Sequence, residues 1–218
     1  MPTILITGAG RGLGRELARQ YAQDGWRVIG TVRSPAAHLT EAITLDVTDT
    51  AQVRQLSSHL KNVAIDVLFC NAGISGKRGM ALGSFDYEEW EKVLRVNLLG
   101  AAAVIEALID NVAASERKTV AVMSSRLGSI AETSGATLPY STSKAALNLL
   151  AKGLAANLAP RGVIVVALSP GWVKTDMGGE SAPLTPEASV RGLRNVIGRL
   201  RHDDSGKFFS HDGSSIPW

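Results

Sequence analysis

The sequence predicts an α/β fold: a doubly wound, mostly parallel sheet of about seven strands, helices on both faces, and a single domain over residues 1–218. Three observations predict it. Short apolar, often β-branched runs alternate with longer segments of helical periodicity, and that alternation places crossover helices between parallel strands. The length of 218 residues suits one large domain better than two. A glycine-rich turn joins the first strand directly to the first helix, as it does where such a sheet binds its ligand.

The elements follow in order. Strands are expected at Thr3–Thr7, Arg27–Val32, Ile43–Leu45, Val67–Cys70, Thr119–Met123, Val163–Leu168 and Lys207–Phe209. Helices are expected at Leu13–Asp24, Ala51–Lys61, Tyr87–Val96, Leu98–Ala114, Ser141–Leu158 and Pro186–Leu200. Asp49 with Gln52 three residues on resembles a capping box, and Thr185-Pro186 puts proline at a first helical position. Leu98–Ala114 and Ala145–Ala159 are apolar around their circumference, which predicts burial on two sides. One side faces the sheet. The other faces a helix of the same chain or of a second subunit, so a homodimer or homotetramer is expected. Gly178–Leu184, rich in Gly, Ser and Pro, is the expected loose segment, with a short substrate-covering loop at about 178–185.

Composition removes several function classes. The chain is 45% hydrophobic and 20% charged with a net charge of +3, and its basic residues form no run, so neither nucleic-acid nor membrane binding is expected. No apolar stretch approaches the roughly 18 residues of a membrane span. Thr3–Thr7 already reads as a strand, so no leader is expected, and a cytoplasmic location is. Cys70 is the one cysteine and reads as an inert buried thiol. His38, His59, His202 and His211 lack metal-ligand spacing, so no metal is expected. No G-x-S-x-G elbow supports a hydrolase.

Thr7 to Gly14 reads T-G-A-G-R-G-L-G, between a strand and a helix. Gly8, Gly12 and Gly14 give the spacing G-x-x-x-G-x-G, with Arg11 and Leu13 inside it. Glycines there let the backbone approach a pyrophosphate, whose charge the unpaired helix amides receive, so the sheet is of Rossmann type. An NAD site wants an acid roughly 20 residues further on for the ribose 2′-hydroxyl. None stands between Val28 and Thr40. Arg33 follows the second strand instead, and Arg33 with Arg11 suits a 2′-phosphate, so NADP(H) is the expected cofactor.

Tyr140 and Lys144 stand four apart on one helical face. An ammonium near a phenol favours phenolate, and a tyrosine so tuned can exchange a proton with a carbonyl or alcohol oxygen.

With these residues in place the sequence resembles the short-chain dehydrogenase/reductase family in its single-domain form. The motifs fall in the family's order: Thr7–Gly14, Asp46-Val47, Asn71-Ala72-Gly73, Asn97, Ser124-Ser125, Tyr140 with Lys144, and Pro170-Gly171 with Val173 and Thr175. The resemblance implies that Ser125 holds the substrate oxygen, with Ser124 as competitor, and that Tyr140 is the acid or base. It implies that Lys144 binds the nicotinamide ribose and lowers the tyrosine pKa, while Asn97 holds a relay water. Asp46 and Val47 would lie beside the adenine, Asn71 to Gly73 along the cofactor, and Thr175 at the carboxamide. Met123–Gly135, Pro170–Gly179 and the ending D-G-S-S-I-P-W are similar to a compact subgroup of small carbonyl reductases and the bacterial developmental signal C-factor. Two functions therefore stand open: a carbonyl reductase or alcohol dehydrogenase acting on a small substrate, and a signalling protein that retains the cofactor site. Trp172 suits a wall of the substrate pocket or a packing anchor.

Overall fold

Period-two alternation along the strands divides the core into two layers. In β1 (Thr3–Ile6), Ile4 and Ile6 face one side and Leu5 the other. In β4 (Val67–Cys70), Val67 and Phe69 oppose Leu68 and Cys70. β5 (Thr119–Met123) and β6 (Ile164–Ser169) repeat the pattern. Both faces are apolar, so both must be covered, and that is the signature of a parallel sheet between helical layers.

The computed structural model describes residues 1–34, 38–77 and 79–218. It forms one seven-stranded sheet, every neighbouring pair parallel, in the order β3-β2-β1-β4-β5-β6-β7. The remaining strands are β2 (Arg27–Val32), β3 (Glu41–Thr44) and β7 (Phe208–Ser210). Helices α1 (Gly12–Gln23) and α6 (Pro186–Arg199) cover one face. Helices α2 (Thr50–His59), α4 (Gly100–Ala113) and α5 (Leu138–Leu158) cover the other, with α3 (Tyr87–Leu94) packed outside against α5. The chain reverses its winding between β1 and β4, so a crevice opens at the carboxyl ends of those strands.

Several local expectations are corrected. The third strand is Glu41–Thr44, not Ile43–Leu45, because register with β2 pairs Glu41 through Thr44 with Ile29 through Val32. Asp49 caps α2 by accepting from the amides of Ala51 and Gln52. Gln52 returns its carbonyl bond to the amide of Asp46 and not to Asp49, so the capping box is only half formed. The two helices expected at Tyr87–Val96 and Leu98–Ala114 are continuous, joined by a π-helical turn at Arg95–Leu99. The segment 178–184 is tied down rather than loose. Leu184 exchanges backbone bonds with Trp172 and Lys174, Gly179 donates to the Thr175 carbonyl, and Ala182 is buried. Of the two apolar helical stretches, Leu149 and Leu99, in α5 and just before α4, keep exposed side chains in the single chain.

Candidate active site

The first β-strand ends in a clamp. The buried Thr7 hydroxyl accepts from the amides of Asn71 and Ala72, both at 3.0 Å, and the Asn71 side-chain amide donates to the Thr7 and Gly8 carbonyls. This fixes the glycine turn against the end of β4. A Cβ on Gly14 would sit 2.2 Å from the Gly8 carbonyl oxygen, and Gly12 lies in the left-handed region at φ +53°. The α1 N-terminus is open: Arg11 provides no side-chain cap, and the first turn holds no acid. Orphan amides and the positive end of a helix dipole therefore face the crevice over a glycine-rich backbone. These residues fit a pyrophosphate.

The π turn carries Asn97 into the interior. Its side-chain oxygen accepts from the Ile74 amide at 2.8 Å, and its NH2 donates to the Ile74 carbonyl and to Ser143 Oγ, each at 2.9 Å. The side chain thus pins the segment after β4 to α5. Gly73 keeps the space between them small: a Cβ there would lie a tight 3.2 Å from Asn97 Oδ1 and at ordinary contact, 3.5 Å, from Lys144 Nζ.

Two serines end β5, and the structure separates their duties. Ser124 Oγ, buried, donates to Asn148 Oδ1 of α5 at 2.5 Å, and Asn148 donates onward to the Gly128 carbonyl. Ser125 lies in hydrogen-bond reach of Tyr140, and its Oγ also accepts from the Leu127 amide. Arg126 donates its amide to Ser169 at the end of β6. A Cβ on Gly128 would approach the Lys144 backbone to 2.8 Å, so this loop presses directly on α5.

Lys144 is the most constrained titratable group here. It is 3% exposed, and burial pulls its ammonium down to about 8. Nζ donates to the Met123 carbonyl at 2.7 Å and lies 5.6 Å from the centre of the Tyr140 ring. Desolvation pushes the Tyr140 phenol up to about 12, with the Ser125 hydrogen bond acting against it. The sequence expectation was a tyrosine lowered by its lysine. In this geometry the ammonium spends its bond on Met123 and lies over the ring, so burial dominates.

The remaining residues spread along the crevice. Arg33 stands exposed just past β2. Asp46 is held below the ordinary carboxylate range, first by the Thr48 hydroxyl and amide, and less by Arg33. Val47 is buried against Gly100. Arg11 pairs with Asp176 at 2.9 Å, both side chains mostly exposed, so the structure draws it toward the segment after β6. There Thr175 Oγ1 accepts from the Gly178 amide, and its methyl would contact a Cβ on Gly12 at 3.8 Å. Ser189 donates to the Pro170 carbonyl, Gly171 holds φ +78°, and Val173 is buried. Trp172 is exposed, and its indole N–H donates to the Gly178 carbonyl at 2.8 Å, which makes it a loop anchor.

Sequence reasoning missed Ser143, Asn148, Ser169 and Asp176. Ser143 lies between Tyr140 and Lys144, and Asp176 within Pro170–Gly179, but single polar residues carry no signal of their partners. Cys70 is buried with its thiol pushed up to about 12, so it stays protonated. Among the described residues no cluster of three potential metal ligands occurs, and no helix is long and apolar enough to cross a membrane.

Burial of Lys144 makes a stability prediction. Unfolding returns its pKa from about 8 toward 10.5. Below pH 8 both states carry the charge and the fold bears the full desolvation penalty, which fades as pH rises from 8 to 10.5. Lys144→Met should therefore be more stable than the wild type by roughly 1–3 kcal/mol at pH 7, and the gain should shrink toward zero near pH 10.5. Urea unfolding of both cofactor-free proteins at pH 7 and pH 10 checks this; an equal difference at the two pH values contradicts it.

Comparisons with known proteins bear on the family and the fold. The sequence model of the short chain dehydrogenase family matches residues 2–184. The chain is 39% identical to the C-signal of Myxococcus xanthus over 167 residues, which is 76% of this chain and all of that protein. A short-chain dehydrogenase/reductase from Burkholderia multivorans with bound NADP superposes with a TM-score of 0.90 at 32% identity, covering 100% of this chain and 99% of that one. The carbonyl reductase Sniffer of D. melanogaster gives a TM-score of 0.92 at 31% identity, with full coverage of both chains. The chain belongs to the short-chain dehydrogenase/reductase family.

Proposed function

We propose that the protein is an NADP-dependent oxidoreductase that interconverts a small carbonyl compound and its alcohol, with Tyr140 as proton donor and acceptor. The observation that carries this reading is the meeting of Ser125, Tyr140 and Lys144 beside an uncapped helix N-terminus. The similarity to carbonyl reductases and to an NADP-bound relative supports it.

NADP(H), when bound, supplies or accepts the hydride. The chain does the rest. Gly8, Gly12, Leu13 and Gly14 would receive the pyrophosphate. Arg33 would meet the 2′-phosphate, with Asp46 and Val47 beside the adenine. Asn71, Ala72 and Gly73 would line the middle of the crevice, and Pro170, Gly171, Val173 and Thr175 its nicotinamide end. Arg11 would have to leave Asp176 to reach the phosphate. Lys144 spends one of its three donors on Met123, which leaves two for ribose hydroxyls.

Tyr140, raised by burial, holds its proton at neutral pH, ready for a carbonyl oxygen that gains charge as hydride arrives. Ser125 would hold that oxygen, because Ser124 is committed to Asn148. Asn97 locks the π turn and, through Ser143, the first turns of α5. In the oxidative direction the phenol must first be lowered, which an ammonium turned toward ribose and phenol does. A signalling protein that retains the nucleotide site is the second reading, favoured by the likeness to C-signal. The complete tyrosine–lysine–serine site favours the enzyme.

Two outcomes follow. Tyr140→Phe should leave NADPH binding near wild type and cut turnover by roughly 10²–10⁴-fold, measured as NADPH oxidation with aldehydes, ketones and quinones; turnover within a few-fold of wild type removes Tyr140 from the chemistry. One charged arginine contact should favour NADPH over NADH by roughly 10- to 100-fold. Arg33→Asp should reverse that order, and the wild-type preference should fall with rising salt. Dissociation constants for both nucleotides at two ionic strengths decide it, and equal wild-type affinities contradict the assignment to NADP.

A further inference from the structure

We propose that the chain carries a second ligand site, for a small oxyanion, at the end of the sheet opposite the active site. Tyr21 lies in the last turn of α1, Trp26 just before β2, Arg117 just before β5, and Arg194, Ile197 and Gly198 near the end of α6. These six residues line a cavity of about 130 Å³. They flank the amino ends of the strands, whereas the crevice described above opens at the carboxyl ends.

The lining is rich in donors. Its polar groups are a phenol, an indole N–H and two guanidiniums, and no carboxylate lines it. Burial pushes the Tyr21 phenol up to about 12, so it stays protonated. The two rings meet edge to face at 4.8 Å, and each carries a guanidinium: Arg194 at 4.6 Å from the Tyr21 centroid, Arg117 at 5.1 Å from the Trp26 centroid. Arg194 donates to Gln20 and pairs with Asp24, yet its buried Nε has no hydrogen-bond partner among the described residues. Arg117 makes no ion pair among the described residues. Arg117 is exposed and Arg194 keeps a buried donor without a partner, so a group that only accepts hydrogen bonds can pair with the first and satisfy the second. The volume is well below the roughly 300–1,000 Å³ of a drug-sized cleft, so the ligand is of the size of phosphate or a short carboxylate. Bound there, it would tie α1, α6 and the turn before β5 together.

The test follows the indole signal of Trp26 in a ¹⁵N correlation spectrum, assigned with Trp26→Phe, during titration with phosphate and with acetate. Chloride at matched ionic strength is the reference. The signals of Trp90, Trp172 and Trp218 report the integrity of the fold. A saturating shift of the Trp26 signal with either anion, weakened at least about tenfold in Arg117→Gln, supports the site, and the stronger arm identifies phosphate or carboxylate as its source. Anion binding at the glycine loop would persist in Arg117→Gln and is thereby separated. No shift beyond the chloride reference, or equal affinity in Arg117→Gln, overturns the proposal.

Discussion

The site is organised around one buried ammonium. Lys144 is held where β5 ends, where the segment after β4 turns, and where α5 begins, and each of these gives way to it. Gly128 leaves out a side chain that would collide with its backbone, Gly73 lets the segment after β4 pass within ordinary contact of Nζ, and the Met123 carbonyl accepts from it. Burying a charge with a single backbone acceptor is unfavourable, as the drop of its pKa to about 8 records. A fold that tolerates this holds donors in reserve for a ligand. The raised tyrosine beside it, with the open end of α1, completes an arrangement that makes chemical sense once a nucleotide with hydroxyl and phosphate acceptors occupies the crevice.

That ammonium depends in turn on the sheet. Both faces of every inner strand are covered, so the strand ends are fixed to within a hydrogen bond, and the winding reversal between β1 and β4 opens the crevice. Thr7 and Asn71 then lock the two strand ends to each other. The π turn does the same from outside. Its extra residue swings Asn97 inward, where the side chain bridges Ile74 and Ser143. Widened turns of this kind recur at functional positions because they aim a side chain that a regular helix would direct elsewhere.

Much of this was legible in the residues alone. Alternating strands and helices predict the layers, and local spacing predicts the glycine turn and the tyrosine–lysine pair, since both are contained in one short stretch. What was not legible depends on partners far along the chain. Register with β2, not propensity, shifts the third strand to Glu41–Thr44. The segment 178–184 has the composition of a loose loop, but backbone pairing with Trp172 and Lys174 holds it. The partner of Ser124 is Asn148, 24 residues further on. Arg11 meets an acid 165 residues away. The direction of the Tyr140 shift follows from how deeply the phenol is desolvated, which spacing does not encode.

The central claim is that this site moves a hydride to a carbonyl carbon. It is tested most directly by incubating the purified protein with NADPH deuterated at the transferring position and a panel of aldehydes and ketones, then analysing the products by mass spectrometry. The account predicts one deuterium on the carbinol carbon of an alcohol product, formed in step with nucleotide oxidation. A protein that binds NADPH yet leaves every carbonyl unlabelled and unreduced would contradict it.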